Sequence, residues 1–227
     1  MPIIVPIGTS TVAGTGVVTY SGLVSTLGDW LNRGDTDFTS QIPNFVTLLE
    51  AELNRTLRVP EMEESAELTV TDSSATLPTD LREIRHLYWN GDIDNEIVPV
   101  PLSTIRRDYP LGSFTDRPLV YAVRGGDIEL APLPGDIDGT LTVLYYEEIP
   151  ALSADNETNW LIAAHPDIYL FGSLTMAEAF LWNDERVGQW RGAYENAVEQ
   201  LKAQGVSKHH GGGPLFPRPI PRPGAVS

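Results

Sequence analysis

The segment Asn159–Tyr194, NWLIAAHPDIYLFGSLTMAEAFLWNDERVGQWRGAY, constrains the fold of this chain more than any other stretch. Aromatic and aliphatic side chains fill two runs that divide near Asn183 and Asp184. Trp160, Leu161, Ile168, Leu170, Phe171, Leu174, Phe180 and Leu181 form the first set. Val187, Trp190, Tyr194, Val198 and Leu201 follow at spacings of three, four, four and three residues, the repeat of one helix face. Asn183 or Asp184 suits the N-cap of the second helix, and Asp184 with Glu185 suits the positive end of its dipole. His165 stands before Pro166, which takes a first helical position. The pattern predicts an antiparallel helical hairpin built to pack, with no nucleophile and base grouped in it. Truncating Trp190 to Ala is expected to cost about 3–5 kcal/mol if the indole lies in that core.

Upstream, Leu23, Leu27, Trp30 and Leu31 share a helical face within Tyr20–Arg33, and Gly34 reads as the stop. A second helix is expected from a cap at Thr39 or Ser40, with Pro43 in its first turn, through Phe45, Leu48, Leu49 and Leu53 to about Leu57. Ile42 and Phe45 then lie on the side of Leu49. Near Pro60 the character changes. The runs 67–71, 75–78, 84–89, 96–100, 119–124, 127–132 and 140–148 are short, rich in β-branched and aromatic residues, and bounded by turn residues. Arg124-Gly125-Gly126-Asp127 signals a hairpin, because glycine accepts the positive φ of the tight turns that match strand twist. Residues 103–109 add a helical turn. Helices, then strands, then helices argue for an α+β fold. The expected organisation is an antiparallel helical platform (19–58 and 159–204), an inserted antiparallel β-sheet or barrel domain (60–150), an extended N-terminal arm (1–18) and a Gly/Pro-rich C-terminal arm (207–227).

Charge and composition narrow the partners. The chain has 31 carboxylates against 15 Lys and Arg, a formal charge of −16. Sequence-independent DNA binding needs cations to neutralise phosphates, so a tight nucleic-acid binder is not expected. The excess acid has two readings, solubility or a channel wall that repels passing phosphates. No apolar run nears the length of a membrane span, and the segment MPIIVPIGTSTVAGTG lacks the charged start of a signal peptide. Cysteine is absent, which excludes disulfides and thiolate metal sites and suits a reducing cytoplasm.

Searches for a reactive constellation are negative. Of His86, His165, His209 and His210, the last two fall in the Gly/Pro-rich end, where a metal would lack a rigid shell. The acidic stretches 91–96 and 135–140 fail the calcium-loop test, since its sixth position needs Gly and here holds Ile97 or Leu141. Residues 8–16 lack the Gly-Lys-Ser/Thr ending of a phosphate loop, and no Gly-x-Ser-x-Gly elbow occurs. No enzymatic role, cofactor or metal is expected. Glu50, Asn54, Arg55 and Arg58 form a polar stripe at helical spacing. It reads either as a solvated face or as a contact with a neighbouring subunit or portal.

Two blocks carry a resemblance: DWLNRGD, IPNF and LLEAELNRTLRV near the start, and WLIAAHPDIYLFGSL, DERV, Trp190 and Tyr194 further on. In this order, around a strand-rich middle, they resemble the adaptor (head-to-tail connector) proteins of short-tailed bacteriophages and prophages, from about Tyr20 to about Leu201. The resemblance implies a virion structural protein at the head–tail junction, assembled in the host cytoplasm. It implies a ring, usually of twelve copies, between the portal protein and the tail nozzle or other tail proteins. DNA would pass through the ring without specific binding, and no membrane is involved. Alternatives are another tail component, such as a stopper or fibre-attachment protein, or a virion hydrolase using a carboxylate pair.

The C-terminal arm has two readings of its own. Gly211–Gly213 make a flexible joint, and Pro214, Pro217, Pro219, Pro221 and Pro223 favour polyproline-like extension. It is either a disordered end or an arm docking through Leu215, Phe216 and Ile220, with Arg218 and Arg222 adding charge. The second reading has it mobile in the free protein and ordered on a neighbouring adaptor or the portal. Candidate interface residues are therefore Leu215, Phe216, Arg218, Ile220, Arg222, Asn54, Arg55 and Arg58.

Overall fold

The computed structural model describes residues 16–89, 96–110, 116–134, 140–181 and 184–209. The chain divides into two compact units: that up to Arg55 with Pro150–Glu199, and Thr56–Ile149 with the chain from Gln200 onward. Helices and sheets segregate along the chain rather than alternating, which makes the fold α+β.

In the first unit α1 (Tyr20–Leu31) starts at Thr19, whose hydroxyl accepts a hydrogen bond from the Gly22 N–H at 3.1 Å. Leu23 and Leu27 are fully buried. The helix stops at Asn32, not at the expected Gly34, with φ 51° and ψ 42°. Asparagine is one of the few residues whose side chain tolerates this left-handed region. A one-turn helix, α2 (Thr36–Thr39), follows under an Asp35 cap and buries Phe38. Four residues are too few for periodicity to reveal. Helix α3 (Ile42–Thr56) therefore starts past the expected cap, still with Pro43 in its first turn, and buries Ile42, Phe45, Leu49 and Leu53.

The first arm of the expected hairpin is two helices, α5 (Trp160–Ala164) and α6 (Pro166–Phe180). Pro166 disfavours helical backbone at the residue before it, and His165 adopts φ −134° and ψ 62° between the two. Helix α6 is buried on several sides, through Ile168, Tyr169, Leu174 and Ala177. Gly172 admits close packing on α3, because an added Cβ would overlap Leu49 Cδ1 and lie 2.8 Å from Cδ2. Helix α7 (Asp184–His209) buries Tyr194, Val198 and Leu201 as their spacing predicts. It continues through Ser207–His209, where the arm was expected to begin.

The second unit opens with a 3₁₀ turn, Pro60–Met62, and among its described residues holds seven strands: β1 (Glu63–Thr69), β2 (Ser74–Thr76), β3 (Leu81–Trp89), β4 (Val98–Pro99), β5 (Val120–Arg124), β6 (Asp127–Ala131) and β7 (Thr140–Glu147). They form two sheets, ordered β1-β7-β3 and β2-β6-β5-β4. Every pairing is antiparallel except β4 with β5, which is parallel and departs from the expected wholly antiparallel arrangement. A parallel pair needs a crossover, and helix α4 (Leu102–Asp108) supplies it. Strand β4 is two residues long and lies at the sheet edge, where the missing N–H of Pro99 faces away from β5. The β5–β6 hairpin turns at Gly125, φ 65°. Strand β7 alternates, burying Leu141, Val143 and Tyr145 against Leu87, Ile128 and Tyr121.

Candidate functional site

The polar stripe on α3 divides between interior and surface. Glu50 and Asn54 are each 6% exposed, whereas Arg55 is exposed. Glu50 Oε1 accepts hydrogen bonds from the Leu152 N–H at 2.9 Å and from the Tyr169 hydroxyl at 3.0 Å. Asn159 Nδ2 donates to the Tyr169 oxygen at 2.8 Å and to the Pro150 carbonyl at 2.7 Å. Its Oδ1 caps α5 by accepting from the Ile162 N–H at 2.9 Å. One network thus ties α3, residues 150–152, α5 and α6 together. Burial, then the Glu50 charge, raises the Tyr169 pKa above the ordinary tyrosine value. The arrangement holds these helices in one relative position. Asn54 is accordingly an interior residue of this unit, not part of an outward stripe.

Arg58 belongs to the second unit. Its Nε donates to Glu83 at 2.9 Å, and its guanidinium lies 5.9 Å from the centre of the Tyr146 ring. Arg55 is thus the stripe residue of the helical unit that faces solvent. Leu215, Phe216, Arg218, Ile220 and Arg222 lie outside the described residues, as do most of the two acidic loops and His210.

The helical unit presents aromatic surface instead. Trp30 is 47% exposed, with its ring centre 5.6 Å from Trp190 and 6.3 Å from Phe171. Phe171 stacks on Trp190 at 6.0 Å. The Trp190 Nε1 is shielded from water with no hydrogen-bond partner, so this half-buried indole is held by ring contacts. Leu48 and Phe180 are about half exposed as well. Such surface suits partner contact. The spacing of Trp30 and Trp190 announced apolar faces but not that the rings would meet near solvent.

The histidines have structural surroundings. His86 Nδ1 lies 2.7 Å from Glu96 Oε1, and its ring stacks on Tyr88. His165 occupies the α5–α6 junction. Among the described residues no group of three or more His, Asp or Glu is placed to hold a metal ion, and no helix is long and apolar enough to cross a membrane.

The family model described as SU10 adaptor protein matches residues 18–218, from the start of α1 into the C-terminal segment. The chain belongs to the SU10 adaptor protein family. This agrees with the resemblance carried by the two helical blocks and makes it a phage adaptor protein. No curated protein matches the chain. The family match spans both units, the strand-rich middle included.

Proposed function

We propose that this adaptor is a virion structural protein that forms a twelve-fold ring between the portal vertex and the tail, and that the ring is part of the channel through which DNA leaves. The helical unit supplies the packed helices of the ring, and the β unit belongs to the same adaptor chain. The protein works by contact alone and catalyses no reaction. The observation that carries this reading is the family match across residues 18–218. The half-exposed aromatic surface of Trp30, Phe171 and Trp190 supports it, because a protein that acts by docking needs apolar surface left uncovered in the single chain. The formal charge of −16 fits a channel wall that repels phosphates.

Light scattering of the pure chain, alone and mixed with the portal protein of the same phage, tests the proposal. The expected result is a monomer or weak oligomer alone and a ring of twelve copies on the portal. A protein that leaves the portal unbound and joins only distal tail parts is a fibre-attachment component instead.

A further inference from the structure

A groove of about 440 Å³ opens in the β unit. Leu81 and Ile84 of β3 form one wall, and Pro99, Pro101 and Val123 beside β4 and β5 form the other. Strands β3 and β4 are each the last of their sheet. Val123 is 55% exposed and Val98 on β4 is 54% exposed. On the β4 wall the backbone donors are already used: the Val98 N–H donates to the Leu119 carbonyl and the Val100 N–H to that of Tyr121, while Pro99 and Pro101 have none. A peptide that binds by adding a strand would find no donors there. A pre-extended apolar segment that packs its rings asks for none.

The chain contains such a segment, and its start lies near the groove. Helix α7 runs to His209; along it Gly205 packs on Pro60, where an added Cβ would sit 2.9 Å from Pro60 Cδ, and Lys208 pairs with Glu61. Two residues before Pro60, Arg58 holds Glu83, which lines the groove. Beyond the Gly211–Gly213 joint, the ten residues Pro214–Pro223 span about 30 Å when extended. Charge favours the approach at longer range: residues 207–227 carry Lys208, Arg218 and Arg222 with no acid, and residues 56–149 carry eighteen carboxylates against seven arginines. The groove's own Glu83 and Arg82 are paired with Arg58 and Glu148.

We infer that the groove seats the chain's own segment Pro214–Pro223, with Phe216 and Ile220 against the apolar walls. A neighbour in the particle that takes this segment must then displace it from the groove.

The natural absence of cysteine makes the test direct. In the full chain, Val123→Cys is combined with Phe216→Cys or with Ile220→Cys and oxidised. The control pairs Phe216→Cys with Thr47→Cys on α3. Docking gives an intrachain disulfide in at least one groove pair, roughly tenfold faster than in the control, at a rate independent of protein concentration. Val100→Cys, also on the groove wall, replaces Val123→Cys should the latter fail to fold. Disulfide-linked dimers whose yield rises with concentration would assign the groove to a second copy and overturn the inference. A rate equal to the control would remove the groove as a seat altogether. Neither result touches the ring reading, which the portal-binding measurement tests separately.

Discussion

Tyr169 joins Glu50 to Asn159 through one hydroxyl group, so the network in the helical unit has a single weakest atom. Tyr169→Phe leaves Asn159 Nδ2 and Glu50 Oε1 each short of a buried partner. The expected loss is about 1–3 kcal/mol of unfolding free energy in a urea titration. Gly172→Ala is expected to cost about 1–3 kcal/mol, since the new methyl meets Leu49. Adding Leu49→Ala should then cost less than the two single changes combined, which a double-mutant cycle reads directly. At Tyr145, burial and then the Asp80 charge push the pKa from 10.0 up to about 12. The unfolded chain ionises this phenol first, so the stability it contributes is complete below pH 10 and is lost as the pH climbs toward 12. Tyr145→Phe should lessen that alkaline decline, to which the raised Tyr169 and Tyr194 also contribute, in chemical-denaturation midpoints measured across this window. An unchanged slope would mean that other groups govern it.

At the scale of elements, apolar spacing located the helices and strands, and the departures have local causes. Asn32 stops α1 because its own side chain tolerates left-handed backbone, and Pro166 breaks the first arm of the hairpin because of the residue before it. Pro99 confines β4 to a sheet edge, but its parallel partner does not follow from the prolines, since pairing direction depends on where α4 returns the chain. Helix α7 carries the prediction that belongs here. Trp190 is half-buried, so Trp190→Ala is expected to cost about 2–3 kcal/mol, below the value for a fully enclosed indole. The same substitution should weaken binding to the portal if its ring surface is a docking face. A variant with parental stability and tenfold weaker binding would assign Trp190 to an interface alone.

For the whole molecule, the family match makes the chain a phage adaptor, and assembly is the property to measure. Removing residues 211–227 is expected to leave a chain that still folds while lowering the yield of filled, tailed particles in a complementation assay. A normal yield would reduce the C-terminal segment to a passive end. Electron microscopy of virions checks the copy number, and a ring of other than twelve would overturn the stoichiometry. Membership was legible from two helical blocks because a packed hairpin needs particular residues at particular spacings. The interface was less so. Asn54 belonged to a stripe with the right period, and the structure turned it inward toward the core.

Periodicity, turn residues and the positions of proline and glycine act within a few residues of one another, so element types, their order and the α+β class were determined by the local chain. Which face of a helix is interior is a different kind of fact. Glu50 meets Leu152 and Tyr169, more than a hundred positions away. Nothing in the spacing of α3 announces partners at that separation. The same holds for Trp30 against Trp190 and for Leu49 against Gly172. Each depends on segments brought together by closing long loops, and the free energy of that closure is spread over the whole core. Tertiary structure alone therefore decided which polar residues are buried and which aromatic rings are left at the surface.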